Sequence, residues 1–289
     1  MSGVLREGVP SDANHADDAV VSPIRAGWLL LAVIGAGVGV AACTVPRETS
    51  SPTPVSSMTV AETPSPASST TAEPSGAAPG PYRQIALEMP NGAMRDGRYY
   101  GDGEVGVVLT HMGRIGDSQD DWAAFAEDLA AAGYQVVTFN HDSQFVWVQV
   151  VAAVDYLRDI GGASTVVAAG ASIGAMASLR AAQEPGSGVN AVVWLAGVQF
   201  GSGYAFNEED VRAVVCPILF ASGTDDEYGA AGDTERLSDW AETAELLLVD
   251  SSLHGTDILR EGGPAANELR RAGLDFIDRV AATPGGPCS

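Results

Sequence analysis

Between residues 82 and 289, short runs of β-branched and aliphatic residues alternate with stretches of helical periodicity, and this alternation limits the fold more than any other feature of the chain. The strand candidates are 84–89, 95–101, 105–110, 135–139, 165–169, 191–195, 217–221 and 245–249. From the third onward they are apolar almost throughout, as strands covered on both faces of a parallel sheet would be. Between them, 117–132 places Trp122, Phe125 and Leu129 at spacings of three and four, and 145–160 does the same with Val150, Val154 and Leu157. Further helical segments begin at Ile173, Asn207, Ala230 and Pro264. The order predicts an α/β domain over 82–289, a mostly parallel central sheet of about eight strands with helices on both faces. Its sites should lie at the carboxyl ends of the strands.

Charge narrows the chemistry. The chain has a net charge of −22, and all 15 of its basic residues are Arg. Within 82–289, 30 acidic residues stand against 12 Arg. Nucleic acids and anionic membrane surfaces would be repelled, so no nucleic-acid partner is expected. Without Lys there is neither a Schiff base nor a P-loop lysine. Gly101-Asp102-Gly103-Glu104-Val105-Gly106 fits a dinucleotide fingerprint in letters, but it precedes a strand instead of opening a helix and reads as a turn. No His, Cys and Asp cluster has metal-ligand spacing; no metal site or cofactor is expected beyond weak Ca²⁺ on the acidic surface. Three cysteines are too few for a disulfide scaffold. Cys216 opens a strand and Cys288 lies in a Gly-Pro-rich tail that has no sequence reason to reach it, so pairing of the two is not expected.

The first eighty residues are not part of this domain. Residues 1–42 read as a leader: a polar stretch, then an uncharged run from Gly27 to Ala42. That run falls short of the about 20 residues a permanent span needs and fits a signal-peptide core better. It ends in Val40-Ala41-Ala42-Cys43, which resembles a bacterial lipobox and implies cleavage before Cys43 and lipid attachment to it. The alternative is a short membrane anchor that is never cleaved. Residues 43–81 read as a tether, since 44–81 holds 8 Pro, 8 Ser and 7 Thr and cannot bury enough surface to order itself. An extracytoplasmic, lipid-anchored domain is the expectation, with the membrane met only through that anchor.

Gly170-Ala171-Ser172-Ile173-Gly174 matches G-x-S-x-G, directly after the strand at 165–169 and directly before a helical segment. A strand-turn-helix of this kind presents its central serine at the top edge of the sheet. With these residues the chain resembles the α/β-hydrolase superfamily, most closely its small dienelactone-hydrolase-like and esterase-like members, over essentially all of 82–289. The resemblance implies the α/β-hydrolase fold and Ser172 as nucleophile. Dienelactone hydrolases have Cys at this position, so a serine tilts the expectation towards esterase chemistry.

A serine hydroxyl needs a base, usually an imidazole oriented by a carboxylate. His111, His141 and His254 all follow strand candidates. The superfamily's order is Ser, acid, His, and His254 is the only histidine after Ser172. His111 and His141 are left to line the substrate site or to satisfy core hydrogen bonds. For the acid, the family's Gly-x-x-Asp pattern lands on Asp226 in Gly223-Thr224-Asp225-Asp226, with Asp225 as runner-up. One oxyanion donor is expected to be the Ile173 amide, at a helix N-terminus. The other falls in Thr110-His111-Met112-Gly113, where the family usually has His-Gly; Met112 and Gly113 both remain candidates.

Only residues 198–216 separate two strands where many lipases insert a lid, so no large lid is expected and the pocket should be open and shallow. Phe145, Trp147, Phe200, Tyr204 and Phe206 are candidates to line it. The combined expectation is a serine hydrolase of small carboxylic esters or lactones working through an acyl-enzyme. A peptidase or thioesterase of the same fold, and a lapsed hydrolase that only binds a surface ligand, are the rivals.

Overall fold

The computed structural model describes residues 80–289 apart from Ser143. The expected leader, the Cys43 lipidation site and all but the end of the tether lie outside the described residues. Eight strands form one sheet: β1 (Tyr82–Glu88), β2 (Met94–Tyr100), β3 (Val105–Thr110), β4 (Gln135–Phe139), β5 (Thr165–Ala171), β6 (Ala191–Leu195), β9 (Ile218–Gly223) and β10 (Ala244–Val249). Their order across the sheet is β1-β2-β4-β3-β5-β6-β9-β10. β2 runs antiparallel to both β1 and β4, while β4, β3, β5, β6, β9 and β10 pair parallel.

Parallel pairing requires crossovers, and the helices supply them. They are α1 (Ala123–Ala131), α2 (Val146–Asp159), α3 (Ile173–Ala182), α4 (Glu208–Arg212), α5 (Ala230–Trp240), α6 (Thr256–Glu261) and α7 (Gly263–Ala282). The segment expected as a helix from 117 begins instead as a 3-10 turn, Gln119–Trp122, capped by Ser118 in a reciprocal box with Asp121. Two short strands, β7 (Phe200–Gly201) and β8 (Tyr204–Ala205), make a separate hairpin after β6.

The apolar strands divide their side chains between two cores, as a period of two dictates. Val108, Val166, Trp194 and Phe220 pack with Val150, Met176 and Leu179 of α2 and α3. On the opposite face Leu109, Val167, Leu195 and Leu219 pack with Phe125 of α1 and with Phe276 and Ile277 of α7.

The tail corrects one expectation. Cys216 and Cys288 form a disulfide. The route is set by backbone pairing that no local pattern encodes. The Cys288 N–H donates to Val189 O at 2.9 Å, and the Val215 N–H donates to Cys288 O at 3.1 Å. The Asn190 amide also reaches Gly285 O at 3.4 Å. The tail is thus laid along the start of β6 and β9, where Cys216 waits.

Candidate active site

Small residues make the elbow. Gly170 and Ala171 have little strand propensity, yet β5 continues through them because β6 pairs with both and β3 with Gly170. Ser172 then takes φ 52° and ψ −116°, a left-handed conformation unfavourable for a residue with a Cβ. Its N–H still donates to Leu195 O at 2.9 Å, while its carbonyl accepts from Met176 N at 3.1 Å as the first bond of α3. The flanking glycines have a steric reason: a Cβ on Gly170 would overlap Gly174 O, and one on Gly174 would overlap Thr110 O. The turn therefore closes against β3, and the Ile173 amide opens α3 without an intrahelical partner.

Beyond β9, the acidic loop is stitched to the chain leaving β10. The Asp225 N–H donates to Ser251 O and the Glu227 N–H to Ser252 O, both at 3.1 Å. Between them Asp226 turns inward. Its Oδ1 accepts from Tyr228 N at 2.9 Å, and both of its oxygens lie within reach of His254 Nδ1, at 3.0 and 2.9 Å. Asp225 is exposed. The Asp226 and His254 side chains are 0% and 3% exposed, so the pair is shielded from competing water. With Nδ1–H donating to the carboxylate, Nε2 carries the free lone pair, the tautomer a general base requires.

The third segment locks this pair to the elbow. Gly255, at φ 53°, follows His254 so closely packed that a Cβ there would sit 2.5 Å from Met112 Sδ and 3.2 Å from the Ala171 Cβ. The loop after β3, the residue before Ser172 and the residue after His254 thus meet at one point. Met112 is wholly buried there, while Gly113 takes φ 87° just beyond it.

His111 and His141 form a stacked pair, with ring centroids 3.8 Å apart and planes 6° from parallel. The His141 backbone N–H donates to His111 Nε2 at 3.2 Å, and His141 Nε2 lies 3.0 Å from His111 O. Burial, reinforced by the neighbouring His141, pushes His111 down to about 3, and burial also lowers His141. Both rings are therefore neutral near neutral pH, and His111 is almost wholly buried.

Two residues that sequence patterns did not single out complete the surroundings. The Tyr228 ring lies over His254, centroids 4.5 Å apart. Arg114 grips Asp117 with two parallel bonds of 3.1 Å and reaches Asp257 at 2.6 Å and the Tyr228 hydroxyl. Neither was legible locally, because each acts through partners more than a hundred residues away or on a different loop. Four of the five aromatic residues expected near the pocket do come together: Phe145, Trp147, Tyr204 and Phe206 line a cleft of about 630 Å³.

No family model matches the chain. No curated protein matches it in sequence. Solved structures do match. The esterase Pf2001 of Pyrococcus furiosus superposes with a TM-score of 0.57 at 14% identity, covering 68% of this chain and 92% of that one. Est1E from Butyrivibrio proteoclasticus gives 0.56 at 15% identity over 69% of this chain and 99% of that one. A dienelactone hydrolase from Anabaena variabilis gives 0.57 at 18% identity over 68% and 97%. Together with the sheet order, these likenesses show that residues 82–289 adopt the α/β-hydrolase fold.

Proposed function

We propose that the chain is a serine hydrolase that cleaves carboxylic esters or lactones through an acyl-enzyme. The observation that carries this reading is the buried Asp226–His254 hydrogen bond, with the residue after His254 packed against the residue before a serine in a strained elbow. Ser172 Oγ attacks the carbonyl carbon as His254 Nε2 takes its proton. Asp226 keeps Nδ1 protonated and stabilises the imidazolium that forms. The oxyanion is met by the Ile173 amide and by that of Met112 or Gly113. His254 then returns the proton to the departing alcohol, and water, activated by the same nitrogen, releases the acid.

The test compares residues 82–289 as wild type and as Ser172→Ala, with a fluorophosphonate probe and a short-chain nitrophenyl ester. Labelling and turnover confined to the wild type support the reading. A folded wild type that does neither overturns it in favour of a ligand-binding protein.

The same reading places the domain outside the cytoplasm, held by lipid on Cys43. The Cys216–Cys288 bond supports that location, since disulfides persist in oxidising compartments. Wild type recovered with membranes and Cys43→Ala recovered free would support it; wild type in the soluble cytoplasm would sink it.

A further inference from the structure

We propose that the aromatic cleft between α2, α3 and the β7–β8 hairpin is the acyl-binding subsite, selecting esters with a bulky, uncharged, apolar acyl group. This rests on the roles assigned above to Ser172 and His254.

Position is the first argument. The strand that pairs with Ser172 through Leu195 O leaves the sheet at Ala196 and runs on to the hairpin. Gly201 of the hairpin faces Met176, whose Cε lies 3.8 Å from a Cβ placed there. Met176 is one turn along α3 from Ser172, and Arg180, on the cleft wall, is one turn further. Arg180 is the α3 residue on the cleft wall, and at 1.5 Å of rise per residue it stands about 12 Å along the helix from Ser172.

Direction is the second. The His254 loop enters from the face of the sheet packed by α1 and α7, where Met112, Ala171 and Ile258 share a core. The cleft opens on the other face, where Met176 and Phe206 belong to the core and Trp147 and Tyr204 pack against it. The departing alcohol must lie within reach of His254, so the acyl arm is the one directed at the cleft.

The walls fix the chemistry. Tyr204 and Phe206 are stacked at 6.2 Å, and the Tyr204 hydroxyl accepts from Trp147 N at 3.3 Å, which holds the hairpin on α2. Arg180 is already engaged: its guanidinium lies 4.7 Å over the Trp147 ring and pairs with Glu184 at 3.1 Å. Its charge is partly met by Glu184, and the net negative charge of the domain disfavours a substrate carboxylate. Phe145 stands at the mouth, 75% exposed and at φ 48°. An exposed ring on a strained backbone costs stability twice, as expected where a ligand covers it.

The experiment measures kcat/KM for nitrophenyl acetate and nitrophenyl phenylacetate on wild type, Phe145→Ala and Ala205→Trp. The ratio of the two substrates within each preparation is independent of how much of it is active. Wild type should favour phenylacetate on the order of tenfold or more, and Ala205→Trp, which fills the cleft from its rim, should collapse that ratio. Phe145→Ala should lower it by a smaller factor. A wild-type ratio near one, or a ratio untouched in both variants, overturns the proposal while fluorophosphonate labelling still upholds the hydrolase reading. Absence of labelling in wild type removes both.

Discussion

The Arg114 guanidinium donates to the Asp257 carboxylate at 2.6 Å, and this one bond ties the loop after β3 to the helix that follows His254. The same guanidinium holds Asp117 within its own loop and the Tyr228 hydroxyl from the Asp226 loop. The loop after β3, the Asp226 loop and the helix after His254 are therefore referenced to a single side chain. Arg114→Leu should lower kcat/KM for an acetate ester roughly tenfold, by loosening the alignment of donor loop and imidazole. Stability should fall by only about 1 kcal/mol or less, because the group is partly exposed. Arg114→Lys should recover little, since an ammonium cannot make the paired bonds to Asp117 and reach Asp257 as well. Ester kinetics with parallel thermal melts separate the two effects.

The His111–His141 stack makes the fold sensitive to acid. His111 is held down to about 3, from an ordinary value of 6.5, chiefly by burial. A histidine whose folded pKa is depressed contributes stability that is complete above its unfolded pKa. That stability is lost as pH falls from about 6.5 towards the folded value. Protonation would also place two cations face to face, with Asp117 and Asp142 offsetting them and Arg95 opposing. Tm should therefore drop steeply below pH 6, with a slope of up to about 1.4 kcal/mol per pH unit for each ring. His111→Phe should flatten that slope. Melts across pH 4 to 8 decide it; an unchanged slope in the variant would assign the acid sensitivity elsewhere.

What the sequence discloses about this site depends on how local the encoding is. The elbow at Ser172 was legible because strand, small-residue turn and helix are contiguous, and His254 was singled out because chain order leaves no other histidine after Ser172. Asp226 was separable from Asp225 only by the family spacing. In the structure the cause is that Asp225 N and Glu227 N bond to the β10 loop, which leaves Asp226 facing inward. The hairpin at 200–205 was missed since its strands are two residues each, too short for a period to show. Helix α6, six residues long, was also missed. The Cys216–Cys288 bond and Arg114 belong to a third kind, fixed by tertiary contacts alone.

The elbow's strain gives a prediction about stability. Ser172 sits at φ 52° and ψ −116°, where glycine alone is comfortable. Ser172→Ala keeps the Cβ and the strain, whereas Ser172→Gly releases it. Both should abolish ester turnover. The glycine variant should be more stable than the alanine variant by about 1 kcal/mol or more, even though glycine also loosens the unfolded chain. Denaturant melts of the two inactive proteins test this directly, and an alanine variant as stable as the glycine one would mean the elbow is not strained.

The disulfide closes a loop between positions 72 residues apart and anchors a tail with no other covalent tie. Chain-entropy reasoning for a loop of that size gives about 4 kcal/mol of stabilisation, through restriction of the unfolded chain. The double variant Cys216→Ser, Cys288→Ser should therefore lose most of that in urea titrations, with wild type in reductant following it. The site itself should survive, because Cys216 lies just before β9 and Asp226 beyond its far end. The expectation is full fluorophosphonate labelling of the variant below its unfolding midpoint. Loss of labelling in a variant that is still folded would instead couple the tail to the positioning of Asp226. Unchanged stability would mean that the backbone bonds from Val215, Cys288 and Asn190 already hold the tail unaided.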